Sequence, residues 1–295
     1  MMIPRVLIIA GSDSGGGAGI QADVKTVTML GGHAMTAITA ITAQNTLGVQ
    51  GVHAIPAPMV IDQIDSVAND LGIDAIKIGM IGSPQTAHAV ADRLADLRDI
   101  PIIFDPVMVA TSGATLADTA TVAAFERLMG MALLITPNVP ELAALTGMDI
   151  ETVDALEEAG QALARRFGCA VLAKGGHLPD QPQDDEPSVH DLLIRASGVS
   201  EYRMARIETR HTHGTGCTLA SAIATGIARR LSVENAVDRA EAFVAGALHH
   251  APGLGKGHGP LGHAMGTTPF YYTLATTNEQ GFDAAALAAQ WDDHA

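Results

Sequence analysis

The stretch VLIIAGSDSGGGAGIQADVKTVTML, residues 6–30, decides the architecture of the chain. Residues 6–10 form a continuous apolar run of buried-strand length, stopped by a glycine-rich turn. From residue 18 the apolar positions take up helical spacing, and Gly31 and Gly32 close it after residue 30. Strand, glycine turn and helix in succession make the first half of a βαβ unit. Working outward, the spacing predicts strands at 35–43, 74–80, 100–105, 133–136 and 170–174. Helices are predicted at 58–69, 118–129, 141–146, 152–167, 215–230 and 233–250. Another runs to about residue 97, with Ser83 as N-cap and Pro84 at its first position. Residues 188–195 and 201–207 read as two extended segments. Strands alternating with helices of this length predict an α/β fold, with a mostly parallel central sheet flanked by helices on both faces.

Composition narrows the function classes. The chain has 295 residues, of which 47% are hydrophobic and 17% charged, which excludes disorder as its main state. Lys and Arg total 17 against 32 Asp and Glu, a net charge of −15. That balance argues against a nucleic-acid partner, which needs a basic footprint. It leaves a phosphate-bearing small molecule open, because backbone amides bind anions locally. Two cysteines, Cys169 and Cys217, make no disulfide framework. The apolar run at the N-terminus is too short for a signal peptide, and no stretch has membrane-span length. A cytoplasmic protein without membrane contact is expected. With no Ser/Pro-rich linker, residues 1–265 are expected to form one domain. The character of the chain changes at about Gly266, and residues 266–295 are expected to be an extension. The loop 179–187 (PDQPQDDEP) reads as a polar, mobile surface excursion.

Chemistry could sit in several places. The turn at residues 11–19 (GSDSGGGAG) lacks the Lys-Ser/Thr pair of a Walker A loop and fails the G-x-G-x-x-G spacing. Its glycines serve either positive backbone φ angles or close approach of a flat ligand. In HGTGCT, residues 213–218, glycines precede an Ala-rich helix, an arrangement that binds anions. Cys217 would lie in the first turn, where the helix field lowers a thiol pKa and makes a base or nucleophile. A glycine-capped helix with a small buried cysteine is the alternative. In TPNVPE, residues 136–141, Asn138 and Glu141 have capping-box spacing, and Glu141 could also face a Mg²⁺–phosphate. KGGH at 174–177 and DPVM at 105–108 also end strands, where open parallel sheets bind ligands. The twelve histidines include no H-E-x-x-H and come with no cysteine pair, so helix-end and surface positions are expected rather than a zinc site.

Taken together, AGSDSGGGAGIQAD (10–23), AQNTLGVQ (43–50), KIGM (77–80), DPVM, TPNVPE, KGGH, HTHGTGCT (211–218) and GHGPLGH (257–263) closely resemble the hydroxymethylpyrimidine/phosphomethylpyrimidine kinases of thiamine biosynthesis. These are ribokinase-like enzymes, and the resemblance covers about residues 4–265. It implies ATP-dependent phosphorylation of 4-amino-5-hydroxymethyl-2-methylpyrimidine and then of its monophosphate. It also implies residue roles. Gln44 resembles the side chain that hydrogen-bonds the pyrimidine. Asp23, Met80, Val107, Gly11 and Ala18 look like the rest of that pocket. Gly214, Thr215 and Gly216 resemble the superfamily's anion hole, and Cys217 stands where most members carry a catalytic Asp. Asn138, Lys174, Asp105 and Thr212 are the implied ATP-binding residues. Glu141 and Asp105 are implied to hold Mg²⁺, partly through water. A homodimer is implied too, and a monovalent cation is left open. The chain departs from the usual pattern at Gly15 and His211. A pyridoxal/pyridoxine kinase of the same superfamily is the nearest alternative. A Cys-dependent hydrolase pairing Cys217 with His213, and a silent binding protein, are remoter ones.

Overall fold

Alternation along the first strand builds two cores. In β1 (Arg5–Asp13), Leu7 and Ile9 enter one hydrophobic cluster while Val6, Ile8 and Ala10 enter the other. All five are buried, as a strand covered on both faces requires. The computed structural model describes residues 3–109, 113, 116–181 and 184–267.

After β1 come α1 (Gly19–Met29), β2 (His33–Asn45), β3 (Gly48–Ala54), α2 (Ala57–Asp70), β4 (Ala75–Ile78), α3 (Pro84–Leu94) and β5 (Ile102–Phe104). Then follow α4 (Thr119–Met129), β6 (Leu134–Ile135), α5 (Val139–Thr146), α6 (Val153–Phe167) and β7 (Ala170–Ala173). The chain continues through β8 (Ser188–Arg195), β9 (Gly198–Ala205), α7 (Thr215–Ala228), α8 (Val233–His249) and a 3₁₀ turn, His263–Thr267. The nine strands form one sheet in the order β3-β2-β1-β4-β5-β6-β7-β8-β9. β2, β1, β4, β5, β6 and β7 run parallel, and β3, β8 and β9 pair antiparallel at the two ends. The expected mostly parallel sheet is therefore present. The strand order reverses between β1 and β4, which opens a crevice at their carboxyl ends.

Helices α1, α7 and α8 cover the Val6/Ile8 face through Val27, Ile223 and Val237. Helices α2 to α6 cover the Leu7/Ile9 face through Ile64, Val90, Phe125, Leu142 and Leu156. Local chemistry sets several boundaries. The side chains of Ser83, Asp118, Thr152 and Ser232 cap α3, α4, α6 and α8 by accepting from backbone N–H groups.

Three features differ from the sequence-based expectation. β3 carries no apolar alternation (GVQGVHA) and is largely exposed, so only its pairing with β2 makes it a strand. The loop after β7 is anchored at both ends. Asp180 pairs with Arg206, and buried Asp184 pairs with His190 at 2.6 Å and Arg203 at 2.9 Å. Residues 182–183 lie outside the described residues. Third, His190, His213 and His263 are buried rather than at the surface. Each has a polar partner, Asp184, Asp13 and Thr218 respectively. Of the expected 266–295 extension, residues 268–295 lie outside the described residues. Among the described residues no helix is long and apolar enough to cross a membrane.

Candidate active site

The crevice opens into a cavity of about 680 Å³ lined from the ends of β1, β4, β5 and β7 and the start of α7. Gly214 begins α7 with φ +90°, a left-handed angle that favours glycine. A side-chain carbon there would also strike the Gly17 carbonyl oxygen, so only glycine lets the helix start lie against the first turn. Gly216 brings that start onto the strand ends: a Cβ on it would lie 3.1 Å from Lys174 Nζ and 3.6 Å from Asp105 Oδ2. The unsatisfied N–H groups of the first turn and the positive end of the helix therefore sit beside a lysine.

Lys174 Nζ donates to Asp105 Oδ1 at 2.9 Å, and Thr136 Oγ1 donates to the same oxygen at 3.0 Å. Burial opposes the Lys174 charge, but Asp105 and Glu141 outweigh it and raise its pKa. Asn138 and Glu141 form a complete capping box. Glu141 N donates to Asn138 Oδ1 at 2.9 Å, and Asn138 N donates to Glu141 Oε2 at 2.8 Å. Burial pushes Glu141 up to about 7, with Lys174 opposing and Asp105 adding. Thr212 lines the same cavity, and its carbonyl accepts from Thr215 Oγ1 at 2.5 Å.

Cys217 is half-buried on the cavity wall. The expected lowering of its pKa is not what the site produces. Burial pushes the thiol up to about 11, Lys77 opposes, and Asp23 and Asp105 add to the rise. Desolvation is the largest cause, and the neighbouring carboxylates act in the same direction. Asp23 is the second correction. It does not line the cavity but is wholly buried, bonded to Lys77 Nζ at 2.9 and 3.0 Å and accepting from Ser221 Oγ at 2.7 Å. The residue that does line the cavity is Lys77, although it too is fully enclosed by protein.

Gln44, Met80, Val107, Gly11 and Ala18 all line the same cavity. A Cβ on Gly11 would lie 2.9 Å from Met80 Sδ, so the glycine makes room for that side chain. Buried Asp13 organises the glycine turn. Its carboxylate accepts from the backbone N–H groups of Gly15, Gly17 and Ala18 at 2.8–3.0 Å and lies 2.9 Å from His213 Nε2. Burial works against its charge, yet His213 and these amides hold Asp13 below the usual carboxylate range. Asp13 belongs to the Gly11–Ala18 turn that the resemblance places in the pocket, and His213 is the residue a Cys-dependent hydrolase would pair with Cys217, whereas Lys77 has no role assigned from sequence. The available signal for Lys77 is its charge inside an otherwise apolar strand.

No group of three or more His, Cys, Asp or Glu side chains among the described residues could hold a metal. Asp105 and Glu141 are two carboxylates facing one cavity. That suits a cation that arrives on phosphates and uses one or two protein carboxylates, and does not suit a closed protein cage.

The family model for phosphomethylpyrimidine kinase matches residues 13–262. The hydroxymethylpyrimidine/phosphomethylpyrimidine kinase of Bacillus subtilis is 44% identical over 264 residues, covering 89% of this chain and 96% of the relative. The thiamine biosynthesis bifunctional protein ThiED of Geobacter sulfurreducens is 44% identical over 261 residues, or 88% of this chain, which spans about half (52%) of that longer protein. Among solved structures, an ADP complex of Bacillus subtilis pyridoxal kinase superposes with a TM-score of 0.80 at 30% identity, covering 89% of this chain and 98% of that one. The cavity at the sheet's switch point is thus found in a kinase, and the chain belongs to the phosphomethylpyrimidine kinase family.

Proposed function

We propose that the chain transfers the γ-phosphoryl group of ATP to the hydroxymethyl oxygen of 4-amino-5-hydroxymethyl-2-methylpyrimidine, and then phosphorylates the monophosphate to the diphosphate. One observation carries the reading. The glycine start of α7, the Lys174–Asp105 pair and the Gln44 amide face a single cavity. An amide offers a donor and an acceptor side by side, which suits an aminopyrimidine edge. Met80, Val107, Gly11 and Ala18 supply the apolar walls against a flat ring.

In the first step the hydroxymethyl O–H bond breaks, its oxygen bonds the γ-phosphorus, and ADP leaves. The N–H groups at Gly214, Thr215 and Gly216 stabilise charge on the transferring group. Lys174 and Thr212 contact the nucleotide phosphates, and Asn138 positions Glu141. The proton goes to Cys217 as the thiolate, a minor form in the ligand-free site, and Lys77 is the cation that favours it. In the second step the acceptor is an ionised phosphate oxygen and needs no base. Asp105 and Glu141 would hold Mg²⁺, partly through water, and the ion would neutralise phosphate charge. A monovalent cation is a further option. The proposal takes residues 1–265 as the kinase unit, 266–295 as an extension, and the enzyme as a cytoplasmic homodimer.

The similarity to a pyridoxal kinase structure supports one rival, phosphorylation of pyridoxal. Both substrates carry a hydroxymethyl on a flat nitrogen ring. The test is ATP-dependent phosphorylation of the two compounds side by side, with mass detection of products. Pyrimidine diphosphate with little pyridoxal turnover is expected. Preferred pyridoxal turnover overturns the pyrimidine assignment.

A further inference from the structure

Gln44 sits in a hydrogen-bond network whose roles conflict in one arrangement of its amide and agree in the other. Its nitrogen lies 3.2 Å from His213 Nε2, and its oxygen accepts from Thr42 Oγ1 at 3.0 Å. His213 Nε2 also lies 2.9 Å from Asp13 Oδ2, an oxygen that already accepts from Gly17 and Ala18. A carboxylate only accepts, so His213 Nε2 must carry a hydrogen. It then cannot accept from the Gln44 nitrogen. Thr42 shares a hydrogen in the same arrangement. Its one hydroxyl hydrogen is shared between the Ser12 carbonyl at 3.0 Å and the Gln44 oxygen. Exchanging the amide oxygen and nitrogen removes the meeting of two donors at His213 and gives Thr42 separate donor and acceptor roles. Thr42 then donates to Ser12 alone and accepts from the amide nitrogen, while His213 N–H is shared by Asp13 and the amide oxygen. Which end of an amide is oxygen is decided by its neighbours.

We infer that the Asp13–His213 pair holds the Gln44 amide with its oxygen toward His213 and its nitrogen toward Thr42, and so sets the direction in which the substrate ring is read. His213 is a positioning residue that acts through Gln44. The inference rests on the proposed pyrimidine contact and deepens it. The remaining lone pair of the oxygen takes an exocyclic amino group at the His213 end. The second N–H of the nitrogen meets a ring nitrogen at the Thr42 end. In a 4-amino-5-hydroxymethylpyrimidine the hydroxymethyl sits next to the amino-bearing carbon. It is thereby turned to the side where His213 leads into Gly214 and Cys217. The opposite amide would turn it away from the phosphoryl-transfer end. The specificity this creates is for an adjacent ring-nitrogen and amino pair.

The test measures binding of the hydroxymethylpyrimidine and of its 4-desamino analogue to the full chain, wild type and His213→Phe, with ATP binding as the folding control. Wild type is expected to favour the amino compound by about tenfold or more, and His213→Phe to cut that preference to about threefold or less. A preserved preference in His213→Phe, or equal loss of both ligands with ATP binding intact, overturns the orienting role. Independently of any variant, ¹⁵N NMR of the wild-type protein is expected to find His213 Nε2 protonated, and an unprotonated Nε2 overturns it. Gln44→Ala separates the two levels. Unchanged pyrimidine affinity there removes the substrate contact itself. Weakened affinity with a preserved preference in His213→Phe removes only the orienting role.

Discussion

Replacing Lys77 by Met isolates the buried ion pair beneath Cys217. Lys77 and Asp23 are both at zero exposure, and the ammonium bonds both carboxylate oxygens at 2.9 and 3.0 Å. Burial opposes the Lys77 charge, but Asp23 raises its pKa, so the lysine is charged at neutral pH. Met fills the stem volume and removes only the charge. Asp23 then keeps a single side-chain partner, Ser221. Breaking a buried pair from one side costs about 3–5 kcal/mol, because the remaining charge is uncompensated. Urea unfolding should show that loss as a lower midpoint with an unchanged slope. The loss should shrink toward pH 4. Asp23 without its cation has a folded pKa above its unfolded value, so the folded state takes up the extra proton as pH falls. Removing both charges in Lys77→Met/Asp23→Leu should restore most of the stability. It should not restore the first phosphorylation, because Lys77 is the cation that opposes the rise in the Cys217 pKa. A single-variant loss below about 1 kcal/mol, or a double variant no more stable than the single, would refute the uncompensated-charge reasoning.

Further outcomes test the rest of the site. Cys217→Ala should depress the first phosphorylation far more than the second, and equal loss in both steps removes the base assignment. With the thiol pushed up to about 11, kcat/KM of the first step should climb from pH 7 to pH 10, and a flat profile contradicts thiolate chemistry. Gly214→Ala should cost at least about 1–2 kcal/mol for the left-handed angle alone, seen as a lower Tm. It should also impair both steps by pushing α7 off the Gly17 carbonyl. Glu141, pushed up to about 7, could hold Mg²⁺ only when ionised, so under the proposed metal role Mg²⁺-dependent ATP affinity should rise about tenfold from pH 6 to pH 8. Calorimetry showing affinity independent of pH in Glu141→Gln and pH-dependent in wild type would support that role. The same pH dependence in both would exclude it.

Much of the fold was legible from local chemistry. The continuous apolar run at residues 6–10, helical spacing after residue 18, and caps such as Ser83 and Asn138 act within a few residues. They determined an α/β chain with motifs at strand ends, where a parallel sheet gathers its ligands. β3 escaped because an exposed edge strand has no burial pattern to display, and its partner supplies the pairing. The electrostatics escaped for a different reason. Asp13 and His213 are 200 residues apart, and Asp23 and Ser221 are 198 apart. No spacing rule reaches that far. Helix position alone argued for a lowered Cys217 pKa, and Asp23 was read as a pocket residue from its motif. Burial decides both, because the cost of a charge depends on which groups are packed around it. The amino-acid order settled the buried strands, the helices and where chemistry could gather, through interactions a few residues long. Only the packed chain decided which charges are enclosed, which face the cavity and which way Gln44 points, since desolvation and hydrogen-bond partners are properties of three-dimensional neighbours.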